Sequence, residues 1–191
     1  VLGSIAALTR NHWPDRLIVF FTTLGTAMPS FVLATLLLLV FCLKLGWFPV
    51  WSSTSPNYVL PIIALSVYPM AYITRLTKTS MLDSLNQDYI RTAKAKGVHQ
   101  YKIIFVHALR NALIPVITYV GPMIGGILTG SMVIESIFNI GGLGSKFVSC
   151  ITNRDYTMIM ATTLFLAVIM VGANLITDIV YKVIDPRIKL D

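Results

Sequence analysis

The charged residues of this chain are spaced very unevenly, and they leave four long uncharged stretches: Leu17 to Leu43, Leu45 to Thr74, Asn111 to Ile134 and Tyr156 to Thr177. A hydrocarbon core ~30 Å thick is crossed by roughly 20 mostly apolar residues in helical form, so each stretch can hold one crossing. The first part of the second stretch reads as a loop, because Trp47, Phe48, Pro49 and Trp51 run into Ser52, Ser53, Thr54, Ser55 and Pro56. Its membrane part therefore starts near Tyr58, with the aromatic residues placed as an interfacial belt. The pattern predicts an all-α integral membrane fold, a bundle of about four transmembrane helices in a single domain, residues 1–191, with spans at about 17–43, 58–80, 111–134 and 156–181. The apolar residues Val1 to Leu8 are too few to span and read as the tail of an earlier helix, so the chain is expected to be a C-terminal piece of a longer one.

Composition agrees with lipid as the solvent. Hydrophobic residues make up 55% and charged residues 12%, where a soluble domain carries about 25% charged. The net charge of +7 is explained by where the cations lie. Val1 to Arg16, 75–110 and Lys182 onward fall on one side and hold Arg10, Arg16, Arg75, Lys78, Arg91, Lys94, Lys96, Lys102, Arg110, Lys182, Arg187 and Lys189; the other side holds Lys44, Lys146 and Arg154. Twelve against three is the positive-inside pattern, which predicts that the rich side and both ends are cytoplasmic. No aromatic-interleaved groove or reading motif points to nucleic acid.

Several features inside the spans predict packing. Pro29 lacks a backbone donor and kinks the first span, as a bend beside a pore or as a packing kink. Pro61 and Pro69 lie in the second, which ends with Arg75 and Lys78 placed to snorkel to headgroups. In the third, Gly121 with Gly125 and Gly126 with Gly130 form two G-x-x-x-G pairs. Such pairs let helix backbones approach closely, within one subunit or between two. Asn174, Asp178 and Lys182 follow one face of the fourth, which Pro186 is expected to stop. Cys42 and Cys150 are too few for a disulfide framework and lack metal-ligand spacing; packing is expected of the first and no role of the second. Glu135 to Asp155 forms an outer connection, re-entrant or carrying a short helix at Lys146 to Thr152 after the turn-rich Gly141, Gly142, Leu143, Gly144.

The long basic loop, residues 83–110, carries the strongest signal. Ser84 and Gln87 have the spacing of a capping box. Asp88, Tyr89, Ile90, Arg91, Thr92, Ala93, Lys94, Ala95 and Lys96 favour a helix that Gly97 ends in a left-handed turn. Tyr89, Ala93 and Lys96 share one side, and small side chains there permit a close dock into a protein groove. A second amphipathic stretch, Val98, Tyr101, Phe105, Ala108 and Leu109, leads to the third span. The same composition also fits a basic interfacial helix attracted to anionic lipid.

The run DYIRTAKAKG, Asp88 to Gly97, followed by HALRNALIP, His107 to Pro115, resembles the cytoplasmic EAA loop of bacterial ABC importer permeases in the form of their peptide and nickel branch. GTAMPSF at Gly25 to Phe31, KLGWFP at Lys44 to Pro49, ESIFNIGGLG at Glu135 to Gly144 and DPRIKL at Asp185 to Leu190 are similar to that branch as well. The chain departs from the broader family in having Arg91, Thr92 and Ala93 where Glu-Ala-Ala precedes the glycine, so no role of that glutamate carries over. The resemblance implies a six-span inner-membrane permease of which this is the last part. It implies a second permease subunit, two cytoplasmic ATPase subunits and an extracytoplasmic substrate-binding protein as partners, with membrane lipid around it. Asp88 to Gly97 would sit in an ATPase cleft: Gly97 sets the turn, Ala93 and Ala95 make the close contact, and Arg91, Lys94 and Lys96 form the polar rim. The substrate would be a peptide or a nickel chelate.

The chain has no G-x-x-x-x-G-K-[ST] loop, so ATP and Mg are expected on the partner ATPases and no cofactor or metal on this chain. With no H-E-x-x-H and no Cys/His cluster, a membrane hydrolase is disfavoured. The rival transporter reading is an ion-coupled carrier, which tends to place charge within its spans; the uncharged stretches argue against it. A scaffold subunit is the third reading, opposed by the docking loop.

Overall fold

The computed structural model describes residues 1–128 and 131–184, so Gly130, Pro186 and the Asp185 to Leu190 motif lie outside the described residues. Every regular element among the described residues is helical: α1 Leu2–Leu8, α2 Trp13–Ala27, α3 Ser30–Leu37, α4 Val59–Leu85, α5 Asp88–Ala95, α6 Gln100–Lys102, α7 Leu109–Ala112, α8 Ile114–Leu128, α9 Met132–Ile137, α10 Leu143–Thr152 and α11 Tyr156–Ile184. Wider π turns occupy Leu38–Lys44 and Ile103–Ala108. Three helical stretches are long and apolar enough to cross a bilayer, Val59–Leu85, Ile114–Ile137 and Tyr156–Val180, and the broken pair Trp13–Ala27 with Ser30–Lys44 makes a fourth. Helices dominate because lipid offers backbone N–H and C=O groups no partners. The hydroxyls in these segments obey the same constraint by bonding back along their own helix: Ser66 to the Ile62 carbonyl at 2.6 Å, Thr74 to Met70 at 2.7 Å, Thr162 to Met158 at 2.7 Å.

Pro29 does more than kink the first crossing. It adopts an extended backbone, φ −58° and ψ 139°, so α2 ends at Ala27 and α3 starts at Ser30. Proline disfavours helical geometry in the residue before it, and Met28 falls in the gap. Pro69 and Pro122, in contrast, sit inside unbroken helices.

The chain divides into two compact units. One comprises Val1–Thr26, Met70–Gly121 and Ile176 onward. Its core is Ala7, Met81, Ile90, Ile103, Ala108 and Ala112, with Leu82, Leu85, Ala93, Val98, Ile104 and Leu109 packed around them. In this unit α1 docks on α4 through Gly3, where a Cβ would lie 2.5 Å from the Thr74 carbonyl oxygen and 2.6 Å from Thr77 Cβ. The start of α2 is tied to α4 by Lys78 Nζ, which donates to Asp15 Oδ1 at 2.5 Å, while Asn11 N donates to Asp15 Oδ2 at 3.0 Å. Both side chains are largely shielded, so loss of either partner would leave an uncompensated charge in a poorly hydrated place.

The other unit comprises Ala27–Pro69 and Pro122–Leu175. Ala34, Leu60, Ala64, Ile134 and Phe138 form its core, ringed by Leu37, Leu38, Phe41, Cys42, Phe48, Leu65, Ile137 and Ile140. The aromatic connection packs by edges and tilts, with Phe41 to Trp47 centroids at 5.6 Å and Trp51 to Tyr58 at 6.4 Å. The outer connection is a pair of short helices, and its second helix starts at Leu143 rather than Lys146. The reason is Glu135: from α9 its carboxylate accepts from Ser145 N at 2.7 Å and caps α10 at the positive end of that helix. Gly142 and Gly144 leave room for it; a Cβ on Gly142 would collide with the Glu135 carboxylate, and one on Gly144 would lie 2.8 Å from Met132 N. Cys150, expected to have no role, is buried in this unit. Asp155 Oδ1 accepts from Met158 N at 3.1 Å and starts α11.

The docking of α1 gives a first test. Gly3→Val in the purified full-length protein is expected to cost about 1–3 kcal/mol by overpacking, read as a lower midpoint of thermal unfolding in detergent; an unchanged midpoint would remove the close approach of α1 to α4.

Candidate functional site

The basic loop begins at the end of α4. The expected capping box is absent, because α4 continues to Leu85 and takes Ser84 into a buried helical position, while the Gln87 side chain makes no capping bond. Gln87 is still the residue where the chain turns, with φ −73° and ψ 152°. Asp88 in the first turn of α5 and Lys94 in its last complement the helix dipole. Thr92 Oγ1 bonds back to the Asp88 carbonyl at 3.0 Å.

Gly97 is in the left-handed region, φ +72°. Gly97 N donates to the Lys94 carbonyl at 3.0 Å and Val98 N to the Ala93 carbonyl at 3.1 Å. This pair of bonds is the Schellman arrangement, and the apolar contact that accompanies it is present too, since Val98 and Ala93 pack against the same core. The sequence therefore sets both the end of α5 and the direction in which the chain leaves it.

Within α5 the side chains separate sharply by face. Ile90 is fully buried and Ala93 half-buried, both in the core with Met81 of α4, Ala7 of α1, Ile103 and Ala108 of the π turn and Ala112 of α7. Asp88, Tyr89, Arg91, Thr92, Lys94, Ala95, Lys96 and Gly97 are exposed. Of the two small residues singled out in the sequence, Ala93 thus packs on this chain's own core and Ala95 faces outward. The Arg91 to Asp88 pair, 3.8 Å apart, is highly exposed and contributes little. Tyr89 is partly fixed, because Asn111 Nδ2 donates to its hydroxyl at 3.0 Å and to the His107 carbonyl at 3.1 Å. On the following stretch Tyr101 and Phe105 meet at a tilt, with centroids 4.5 Å apart, and stay exposed. Of the expected amphipathic face, Val98, Ala108 and Leu109 pack in the core with Ile103 and Ala112, whereas Tyr101 and Phe105 fall outside it, where the π turn shifts the helical register.

The small-residue seam of α8 is an intrachain one where it is described. A Cβ on Gly121 would collide with the Thr177 side chain of α11, and one on Gly125 would lie 3.6 Å from Ala173 Cβ and 3.7 Å from Met170 Cγ. A Cβ on Gly126 would meet nothing within 4 Å. Among the described residues no group of three His, Cys, Asp or Glu side chains is placed to hold a metal ion.

Sequence reasoning overlooked the roles of four residues that hold one unit or the other. Ile90 was legible as the one large aliphatic residue in a basic helix. Glu135 carried a signal in its spacing to the Gly-Gly-Leu-Gly-Ser run. Asp15 and Lys78 carried none, since 63 residues separate them.

Residues 1–190 match the family described as binding-protein-dependent transport system inner membrane component. The chain belongs to that family. It is 53% identical over 191 residues to the dipeptide transport system permease protein of Bacillus subtilis (strain 168), covering 100% of this chain and 62% of the relative. It is 45% identical over 190 residues to the oligopeptide transport system permease protein of Haemophilus influenzae (strain ATCC 51907 / DSM 11121 / KW20 / Rd), covering 98% and 62%. It is 42% identical over 188 residues to the glutathione transport system permease protein of Escherichia coli (strain K12), covering 98% and 61%. The chain thus spans just over three fifths of the length of these curated relatives, and it is a multi-pass inner-membrane protein.

The left-handed glycine gives the second test. Gly97→Ala is expected to cost ~1–2 kcal/mol, and Gly97→Asn less, because Asn tolerates that conformation better; thermal unfolding of the full-length protein in detergent checks the order. Equal midpoints for both variants and the wild type would show that the turn does not depend on this backbone geometry.

Proposed function

We propose that this chain is the membrane-spanning part of a permease subunit of an ATP-driven importer for peptides, and that the outward face of α5 is the seat of a cytoplasmic ATPase. The observation that carries the reading is the two-faced construction of α5: Ile90 anchors it in the chain's own core while Asp88, Arg91, Thr92, Lys94, Ala95, Lys96 and Gly97 are presented to solvent. A helix held only by lipid attraction would expose an apolar face to the membrane; the large apolar residue of this one points into protein. The relatives named for dipeptide, oligopeptide and glutathione transport support the substrate class. Twelve cations against three support the cytoplasmic placement of this side.

On this reading two permease subunits form the pathway, two ATPases bind beneath them, and an extracytoplasmic binding protein delivers the peptide. ATP and Mg are held by the ATPases, since this chain lacks a phosphate loop. Closure of the ATPases moves α5, and Ile90 passes that movement to α4 through Met81 and to α7 through Ala112. Ala95 supplies the close contact with the ATPase, Lys94, Lys96 and Arg91 the polar rim, and Ala93 the inner contact.

The two faces of α5 are tested separately. Ala95→Glu in the full-length transporter leaves the inner packing alone and is expected to cut ATP-dependent dipeptide uptake and ATPase co-purification roughly tenfold or more, as for a buried interface contact. Ile90→Ala is expected to cost about 2–5 kcal/mol of stability and to lower uptake while the ATPase still co-purifies at low temperature. Normal uptake and normal ATPase retention in Ala95→Glu would falsify the docking assignment.

A further inference from the structure

In the first unit, Tyr72, Arg75 and Thr79 of α4 are all exposed. Their spacing of three and four residues puts them on one side of the helix. Tyr119 of α8 stacks on Tyr72 with centroids 4.3 Å apart and planes 29° from parallel. Arg75 Nη1 donates to Thr26 Oγ1 of α2 at 3.4 Å. Hydroxyls and a guanidinium therefore form one stripe along a membrane-crossing helix.

Elsewhere the exposed span positions of this unit are mixed, with Thr23, Thr118 and Asp178 polar and most of the large side chains apolar. Leu17, Phe20, Phe21 and Leu24 of α2 and Ile176 and Ile179 of α11 are apolar and exposed, as a lipid-facing surface requires. Thr79 Oγ1 bonds back to the Arg75 carbonyl at 3.1 Å, as hydroxyls in the other spans do, so it is the Arg75 guanidinium that hydrocarbon rejects. Polar and charged groups within spans face a bundle interior or a water-filled cavity.

Arg75 itself narrows the choice. It lies ~24 Å along α4 from Val59 at 1.5 Å per residue. Lys78, one turn further on, is paired with Asp15. Among the described residues no carboxylate pairs with Arg75, and the Thr26 hydroxyl it reaches is a distant, neutral acceptor. A guanidinium so placed selects a planar anion, and a carboxylate fits its fork in bidentate fashion. Peptides and glutathione share that group.

We propose that the Tyr72, Arg75 and Thr79 face of α4, with Tyr119, lines the aqueous path through the membrane, and that Arg75 is the subsite for the carboxylate of a passing peptide. The carboxylate assignment rests on the function proposed above. The aqueous lining stands independently of it.

The experiment uses the full-length permease with its partner subunits in proteoliposomes, in a Cys42→Ser, Cys150→Ser background. Tyr72→Cys and Tyr119→Cys are expected to react with a membrane-impermeant methanethiosulfonate about tenfold or more faster than the lipid-facing control Phe21→Cys. Rates at the control level, or disulfide cross-linking of those positions to the second permease subunit, would overturn the lining. For the subsite, uptake of the dipeptide Ala-Phe is compared with that of its C-terminal amide. Arg75→Gln is expected to lower the acid-to-amide ratio about tenfold, the loss of one charge-assisted contact, and Arg75→Lys to restore part of it. Equal losses for both probes mean a structural role and sink the subsite. If the wild-type complex imports neither probe, the peptide reading of function falls and takes the subsite with it, while the labelling rates decide the lining alone.

Discussion

Ile90 sets what every other residue of the loop helix can do. Its side chain is fully buried against Met81, Ala7, Ile103, Ala108 and Ala112, and burying an Ile contributes about 1.5–3 kcal/mol. With Ala93 beside it in the same core, Ile90 fixes the rotation of an eight-residue helix, which on its own is too short to be stable in water. Once the rotation is fixed, Lys94, Ala95 and Lys96 must face outward and Ala93 must face in. The Schellman turn at Gly97 then sends the chain back so that Val98 reaches the same core. The outward face of α5 is thus a consequence of its inward one.

The membrane segments answer to a different constraint, the need to satisfy every backbone group without water. It explains why Pro69 and Pro122 leave α4 and α8 intact while Pro29 divides α2 from α3. A proline within a helix frees one carbonyl, which neighbours can satisfy; at Pro29 the residue itself takes an extended conformation, and the two helices end and start around it. The π turn at Ile103–Ala108 lies outside the spans, in the basic loop. It changes which residues share a face, and for that reason Phe105 is exposed where simple helical spacing expects it to pack.

Much of this was readable from residue order. The uncharged stretches carried the crossings because hydrophobic length is a local property. Gly97 carried the end of α5 because a left-handed turn has few acceptable residues. The two-faced nature of α5 was half legible: the basic rim is local, but the burial of Ile90 depends on Met81, Ala7 and Ala112, which approach only in the fold. The Asp15 and Lys78 pair and the Glu135 cap were hidden for the same reason, since each joins elements that the chain order does not place side by side. The break at Pro29 was underestimated because sequence gives the presence of a proline and not the backbone conformation that neighbours allow it.

The core around Ile90 also constrains how a push on α5 spreads. Its members come from α1, α4, the π turn and α7, so they include chain segments both before and after the loop. Three of them, Ala7, Ala108 and Ala112, are small and fully or nearly fully buried, which brings backbones close and leaves little room for one helix to slide while the others stay. Gly3 against α4 and Lys78 against Asp15 add two further ties to the same body. A displacement of α5 therefore shifts α1, α4 and α7 together, with the start of α2 attached through Asp15. That unit carries Tyr72, Arg75 and Tyr119, so on the proposed reading the force-receiving helix and the carboxylate-binding face move as parts of one packed body.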